Sequence, residues 1–240
     1  MNKYLLLIFF LISNFQKVFS EKKPNIVIIM LDDMGYGDIE SFGAIDYYTP
    51  NINDLADNGM LFTNFYSAQA VCSASRAGLL TGTYPNRIGI NGALFPQSKV
   101  GLNSNEKTIA EILKEKKYKT AVIGKWHLGH QKEFLPLNHG FDYYYGIPYS
   151  NDMWPVDFDG NQITNNNDWR KKNYPQLPII ENYKKIGEVR TLDDQAKLTT
   201  IYTEKSVEFI NNNANKPFFL YVPHSMPHVP IAASDKFKGK

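Results

Sequence analysis

Three apolar runs, each followed by charged or histidine side chains, restrict the folds open to this 240-residue chain. The runs lie at residues 25–31, 118–123 and 217–222, and β-branched or aromatic side chains make up most of each one. Continuous apolar stretches of this length are typical of strands buried on both faces, as in a parallel sheet covered by helices. A further run at residues 60–66 predicts one more strand.

Helical patterns separate these predicted strands. A short helix is expected between Thr49, its cap, and Gly59, with Pro50 at the first helical position. Residues 105–117 place Ile109, Ile112 and Leu113 at helical spacing, and residues 191–212 predict one long helix. The alternation of strands and helices predicts an α/β fold with a mostly parallel central sheet flanked by helices.

Chemically active side chains follow the predicted strands. Asp32 and Asp33 come directly after the first run, Lys125 and His127 follow the run at 118–123, and His228 follows the last one. Ligands of open α/β sheets bind at the carboxyl ends of the strands, so these residues are expected at one edge. Two adjacent carboxylates suit a hard cation such as Ca²⁺ or Mg²⁺, although a solvated turn is the alternative.

The only cysteine of the chain, Cys72, lies four residues before Arg76, and the sequence predicts the start of a helix here. Unpaired backbone N–H groups at a helix start favour an anion, and a guanidinium group matches a tetrahedral oxyanion. A nucleophile beside an anion clamp is therefore one interpretation. A buried free cysteine next to a surface arginine is the other.

Two motifs resemble the signatures of the sulfatase family. The stretch Cys72-Ser-Ala-Ser-Arg-Ala-Gly-Leu-Leu-Thr-Gly82 is similar to the first signature, with Ala74 where proline is commonest. The stretch Gly124-Lys-Trp-His127 is similar to the end of the second signature, with Lys117 in place of its first glycine. The resemblance implies an alkaline-phosphatase-like fold of the arylsulfatase A-like, formylglycine-dependent branch.

The resemblance also implies a mechanism. Cys72 would be oxidised to 3-oxoalanine (formylglycine), whose hydrated gem-diol attacks the sulfur of a sulfate ester. A divalent metal, Ca²⁺ or Mg²⁺, would be held by Asp32, Asp33 and residue 72. His127 would act as base and His228 as proton donor to the leaving group. The implied catalytic residues are Cys72, Arg76, Lys125, His127 and His228, and the implied substrate-binding residues are Lys125, His228 and Ser150.

The first twenty residues have the pattern of a secretory signal peptide. Lys3 precedes the apolar run Leu5 to Ile12, which is too short to span a bilayer, so no stable membrane anchor is expected. An exported protein is therefore predicted, in a periplasmic, secreted or lysosome-like compartment. A net charge of +2 without a dense basic block argues against nucleic acid as a partner.

Residues 21–240 are expected to form the N-terminal part of a sulfatase catalytic domain. In the family this domain continues with an Asp-Asn pair, a further lysine and a smaller C-terminal subdomain, so the fold is expected to be incomplete at the C-terminus. Residues 21–240 alone are therefore expected to be inactive. The expected partners are a sulfated small molecule or glycan and a formylglycine-generating enzyme.

Two other functions remain open from the sequence. A phosphatase or phosphodiesterase of the same superfamily would share the metal carboxylates, but it would use Ser or Thr where Cys72 stands. A non-catalytic, sulfated-glycan-binding fragment would keep only the cationic pocket. The irregular segment 151–190 is predicted to form a substrate-facing rim, in which Trp154, Trp169 and Tyr174 either stack on a ligand or pack in the core.

Overall fold

A computed structural model describes residues 23–239, so the predicted signal peptide lies outside the described residues. These residues form one six-stranded mixed sheet in the order β1-β6-β2-β3-β4-β5. Strands β1, β6, β2 and β3 pair in parallel, whereas β4 and β5 continue the sheet antiparallel. The strands are β1 (Ile26–Asp32), β2 (Lys119–Lys125), β3 (Tyr143–Ile147), β4 (Leu177–Glu181), β5 (Lys184–Val189) and β6 (Phe218–Pro227).

Six α-helices surround this sheet within the described residues: α1 (Pro50–Asp57), α2 (Cys72–Thr81), α3 (Ile109–Glu115), α4 (Trp169–Asn173), α5 (Leu192–Ala196) and α6 (Leu198–Asn213). Helix α3 begins at Ile109 because Thr108 and Glu111 form a reciprocal capping box. Short 3₁₀ turns fill several connections, including Pro85–Ile88 and Pro136–His139.

Both faces of the sheet are covered, as the α/β prediction requires. Val122 of β2 packs into one core with Leu80 of α2 and Leu113 of α3. Its neighbour Ile123 packs into the second core with Tyr202 of α6. Successive residues of a strand point to opposite faces, so the continuous apolar run of β2 serves both cores at once. The predicted fold class is confirmed.

Strand β1 differs from its prediction, because only one of its faces is covered. It lies at the edge of the sheet and pairs with β6 alone. Ile26, Ile28 and Met30 pack against the first core, whereas Val27 and Ile29 are 44% and 59% exposed. The apolar run therefore predicted the strand correctly, but its prediction of burial on both faces is wrong.

Three further predictions about local structure are wrong. Residues 60–66 form turns and irregular chain with exposed side chains instead of a strand. The single helix predicted at 191–212 is divided at Lys197 into α5 and α6. The segment 151–190 was expected to be irregular, but it contains the β4–β5 hairpin, whose tight turn places Asn182 at a positive φ.

Two glycines allow the strands to approach closely where the polar residues lie. Gly124 of β2 and Gly146 of β3 have positive φ values, at 144° and 157°. A Cβ atom on Gly124 would overlap the carbonyl oxygen of Pro223 in β6, and one on Gly146 would overlap the carbonyl oxygen of Gly124. Close packing of β6, β2 and β3 near their carboxyl ends therefore requires glycine at both positions.

Candidate active site

The polar residues that follow the apolar runs meet at one edge of the sheet. Asp32 is the last residue of β1, Lys125 is the last residue of β2, and His228 directly follows β6. Cys72 is the first residue of α2, after an extended Val71. The carboxyl ends of the parallel strands and the amino end of α2 thus bring distant residues together, as expected for this fold class.

A buried ion cluster forms the centre of this edge. Asp32 Oδ2 lies 3.0 Å from Arg76 Nη2 and also accepts from Lys125 Nζ. Arg76 donates in addition to the backbone carbonyl of Lys125, the residue that ends β2. All three side chains are buried, and the cluster carries one more positive than negative charge. Burial alone raises the pKa of Asp32, but the charges of Lys125 and Arg76 outweigh it and keep the pKa below its ordinary value.

Ser150 completes the support of Lys125. The Lys125 ammonium group donates to Ser150 Oγ over 2.9 Å, and both residues are fully buried. Lys125 is therefore held between a carboxylate and a hydroxyl group, which restricts a side chain that is flexible in solvent.

Cys72 and His228 form a second, less buried pair beside the cluster. Burial raises the pKa of the Cys72 thiol, but the imidazole of His228 and the charge of Lys125 lower it to a net value below the ordinary one. Burial lowers the pKa of His228, whereas its contact with Cys72 and the Val229 carbonyl raise it, and the net pKa is raised. Each group thus favours the charged form of the other.

The backbone at His127 is not extended. Its φ of 58° means that the alternation of a strand, which would point Lys125 and His127 to the same side, does not continue to this residue. The ring is fully buried, and its Nε2 lies 2.9 Å from the carbonyl oxygen of Leu94. The Leu94 N–H donates to Ser73 Oγ, which ties this contact to α2.

The contact between His127 and the Leu94 carbonyl shows which ring nitrogen carries the hydrogen. Since a carbonyl only accepts, Nε2 carries the hydrogen, and the buried Nδ1 has no hydrogen-bond partner among the described residues. Burial lowers the pKa of His127 well below its ordinary value, and the charges of Lys125 and Arg76 lower it further. His127 is therefore neutral near pH 7 and presents an unprotonated nitrogen.

Comparison with known proteins decides the family. A family model described as Sulfatase matches residues 24–240 of the chain. The chain belongs to the sulfatase family. The resemblance predicted from the two motifs is therefore confirmed.

Named relatives and solved structures agree with this membership. Human N-acetylgalactosamine-6-sulfatase is 37% identical over 231 residues, covering 90% of this chain and 42% of the relative. Arylsulfatase G of Rattus norvegicus is 40% identical over 226 residues, covering 88% of this chain and 42% of the relative. The PsFucS1 sulfatase from Pseudoalteromonas sp. superposes with a TM-score of 0.80 at 32% identity, covering 95% of this chain and 48% of that one. The chain thus spans less than half the length of these relatives.

The Ps i-CgsB structure in complex with k-i-k-neocarrahexaose is a second solved match. It superposes with a TM-score of 0.73 at 34% identity, covering 90% of this chain and 48% of the matched chain. These agreements support the alkaline-phosphatase-like sheet described above.

The predicted metal ligands of this chain supply a suitable but small donor set. Asp32 and Asp33 offer hard carboxylate oxygens, which suit Ca²⁺ or Mg²⁺. Asp33 is 63% exposed, has a φ of 63°, and its Oδ2 lies 3.6 Å from His228 Nε2. Between residues 23 and 239 no group of three or more His, Cys, Asp or Glu side chains has metal-site geometry. The two carboxylates fit a cation whose remaining ligands come from outside this set.

The three aromatic residues predicted at the rim separate into two roles. Trp154 and Tyr174 are buried in the second core, so their contribution is packing. Trp169 is 58% exposed and lies against Tyr174 with ring centroids 5.1 Å apart. Of the three, only Trp169 presents a free aromatic surface.

Sequence reasoning missed residues that hold the site from behind. Ser73 and Leu94 position His127, and the buried amides of Asn151 and Gln195 contact the backbone after β6. Their neighbours offer a weak signal, since Ser73 follows Cys72 and Asn151 follows Ser150.

No helix in residues 23–239 has the length and apolar character needed to cross a membrane.

Proposed function

We propose that the full-length protein hydrolyses sulfate esters at the carboxyl edge of the sheet. The observation that carries this proposal is the buried cluster of Asp32, Arg76 and Lys125 beside the amino end of α2. One carboxylate does not balance two cations, so the edge retains a positive charge in a water-poor environment. A sulfate monoester is an anion, and preorganised positive charge stabilises the charge that develops on its transferring sulfuryl group.

Residue 72 is proposed as the nucleophile. The thiol of Cys72 lies at the first position of α2, is partly buried and contacts the imidazole of His228. Oxidation by a formylglycine-generating enzyme would convert it to formylglycine, whose hydrated form supplies a hydroxyl group for attack on sulfur. These 240 residues contain a single cysteine, so this conversion would leave no free thiol within them.

Two histidines are suited to move protons in opposite directions. His127 is neutral and keeps a buried, unprotonated Nδ1, so we assign it the role of base toward the second hydroxyl of residue 72. His228 is only partly buried, and its Nε2 lies 3.6 Å from the exposed carboxylate of Asp33, so we assign it the role of proton donor to the departing alcohol. A fully buried, neutral imidazole and a partly buried one would thus supply one base and one acid.

Arg76, Lys125 and Ser150 are proposed to bind and orient the sulfate group. Lys125 would contact the sulfuryl oxygens directly, with Ser150 maintaining its position. Asp32 and Asp33 would hold Ca²⁺ or Mg²⁺, and such an ion would supply further positive charge to the sulfuryl oxygens.

A sulfated carbohydrate is the substrate class that the comparisons favour. One relative is named N-acetylgalactosamine-6-sulfatase, and one solved match contains k-i-k-neocarrahexaose, an oligosaccharide by its name. The exposed indole of Trp169 offers a surface of the kind on which sugar rings stack. We further propose export of the protein, because oxidation of Cys72 and degradation of extracellular or lysosomal glycans suit such a compartment.

The test uses the full-length protein coexpressed with a formylglycine-generating enzyme. Sulfate release from an aryl sulfate and from a sulfated oligosaccharide is measured, together with the mass of the peptide that contains residue 72. We expect turnover, a mass change that corresponds to formylglycine, and complete loss of turnover in Cys72→Ala. Turnover with an unmodified Cys72 peptide would overturn the formylglycine mechanism.

The same assay separates the two alternative functions. Hydrolysis of phosphate esters but not sulfate esters would indicate a phosphatase of the same superfamily. Binding of a sulfated oligosaccharide without release of sulfate would indicate a glycan-binding protein.

A further inference from the structure

The backbone that carries His228 is held by side chains from two other parts of the chain. Three consecutive carbonyl groups, those of residues 228–230, accept hydrogen bonds from amide side chains. Asn151 Nδ2 lies 3.1 Å from the oxygen of His228 and 3.3 Å from that of Val229. Gln195 Nε2 lies 2.6 Å from the oxygen of Pro230. A loop that would otherwise have free carbonyls is thus fixed at three successive residues.

Trp154 links the backbone of Asn151 to the side chain of Gln195. Its indole N–H donates to the carbonyl of Asn151 over 2.8 Å and lies 3.3 Å from Gln195 Oε1. Asn151 and Trp154 follow β3, whereas Gln195 belongs to α5. All three side chains are fully buried, so each lost hydrogen bond would leave a polar group without water. We call Asn151, Trp154 and Gln195 the amide clamp.

The amide clamp reaches the imidazole of His228 through one carbonyl group. Val229 O accepts from Asn151 Nδ2 and also lies 2.6 Å from His228 Nδ1. Since a carbonyl only accepts, His228 Nδ1 carries a hydrogen, and its Nε2 is the nitrogen that faces Asp33. The orientation of the ring therefore depends on the position of the Val229 carbonyl.

We propose that the amide clamp positions His228 for proton donation to the leaving group, an inference that rests on the proposed sulfate-ester hydrolysis. Asn151 Nδ2 donates to two carbonyl groups of this loop, while its Oδ1 has no partner among the described residues. The preceding side chain, Ser150, holds Lys125. Two adjacent residues after β3 thus have complementary roles: Ser150 holds Lys125, and Asn151 holds the loop that carries His228.

The role of a proton donor is visible in the dependence on the leaving group. A nitrophenolate leaves without a proton, whereas the alkoxide of a sugar requires one. The test compares 4-nitrophenyl sulfate with a sulfated sugar in the full-length, matured protein. The variants are Asn151→Leu and Gln195→Met, which preserve approximate size and remove the side-chain amide, both its N–H donors and its oxygen.

We expect kcat for the sulfated sugar to fall roughly 10- to 100-fold in both variants, as misplacement of a general acid predicts. The rate with 4-nitrophenyl sulfate should fall by a much smaller factor, about threefold or less. Gln131→Met is the matched control, because Gln131 Nε2 also donates to a backbone carbonyl, that of Ser98 at 2.6 Å, and its Oε1 is also buried without a partner. In this control the ratio of the two rates should remain that of the wild type.

A second measurement does not depend on activity. Amide hydrogen exchange followed by mass spectrometry should accelerate in peptides covering residues 224–236 of the two clamp variants, with the β2 and β3 peptides unchanged. Equal losses of rate with both substrates, or unchanged exchange in residues 224–236, would overturn the proposal. If the wild type hydrolyses neither substrate, the proposed function is wrong, and the exchange result alone decides whether the amide clamp holds this loop.

Discussion

Two clusters of similar chemistry lie at opposite edges of the sheet. The carboxyl-edge cluster contains Asp32, Arg76, Lys125 and Ser150. The amino-edge cluster contains Glu181, Lys205 and Tyr143, with the Tyr143 hydroxyl 2.6 Å from Glu181 Oε1 and Lys205 Nζ 3.4 Å from the same oxygen. Each cluster thus combines a carboxylate, a lysine and a hydroxyl group.

The clusters differ mainly in their access to water. Glu181 and Lys205 have side chains that are 36% and 27% exposed, whereas Asp32 and Lys125 are almost inaccessible. Partly exposed ion pairs contribute little to stability because solvent screens them. Buried charges are costly to desolvate, so burial of a net positive cluster is poorly explained by stability alone. This contrast supports a functional role for the carboxyl-edge cluster and a structural one for the amino-edge cluster.

The largest predicted effect comes from removing the lysine of the carboxyl-edge cluster. Lys125→Met should lower kcat/KM for sulfate esters by roughly 10²- to 10³-fold, since it removes preorganised positive charge next to the sulfuryl group. Steady-state kinetics of the matured protein measure this effect. A variant that keeps wild-type kcat/KM would remove the functional distinction between the two clusters.

A buried histidine without hydrogen-bond partners for its ring sharpens the comparison. His139 is fully buried, its ring nitrogens lack partners in the described part of the chain, and burial lowers its pKa from 6.5 to about 4. The unfolded state therefore binds a proton at a higher pH than the folded state. The resulting stability is complete above pH 6.5 and is lost as the pH falls toward 4.

Protonation of His139 should lower the free energy of unfolding by about 2 kcal/mol between pH 7 and pH 5. Urea unfolding at the two pH values measures it, with His139→Phe as the comparison. The variant should lose about 2 kcal/mol less than the wild type over this interval. Equal pH dependence in both proteins would show that His139 does not titrate as its burial requires.

A smaller effect is expected from the hydroxyl group of the carboxyl-edge cluster. Ser150→Ala removes one hydrogen bond to a buried lysine and should lower kcat about tenfold, together with a modest decrease in unfolding temperature. Ser206→Ala is the control, because Ser206 Oγ is buried without a partner and its loss should be neutral. An equal change in both variants would argue against a positioning role for Ser150.

The smallest effect is predicted for the amino-edge cluster. Lys205→Met should change the free energy of unfolding by less than about 1 kcal/mol and leave kcat/KM unchanged. Chemical denaturation and the same kinetic assay test both statements. A large loss of activity would mean that the amino edge also contributes to function.

Much of the fold could be predicted because it depends on local patterns. The apolar runs located β1, β2 and β6, and Thr49 and Pro50 marked the start of α1. The run at residues 60–66 was misleading, since apolar character favours a strand only where a neighbouring strand is available. The β4–β5 hairpin was missed because its strands are short, and because β4 contains a proline while half of the residues of β5 are charged, so neither has a clear apolar pattern.

The candidate site could be predicted in composition but not in arrangement. The motifs identified Cys72, Arg76 and Lys125, and those side chains do lie near one another. The conformation of His127 was not predictable, because a non-glycine residue with positive φ costs energy that only the surrounding packing can offset. The clamp residues Asn151 and Gln195 belong to no sequence motif. Their importance is evident only from the structure, in which their buried amides donate to backbone carbonyls after β6.

The sequence by itself determined which residues follow the buried strands, because local apolar patterning selects the strands and parallel strands align their carboxyl ends. Only the tertiary structure decided which of these side chains meet. Asp32 and Arg76 are 44 positions apart, and Arg76 and the carbonyl of Lys125 are 49 apart. Contacts over such separations arise when whole elements pack against each other, and their geometry depends on all the elements at once.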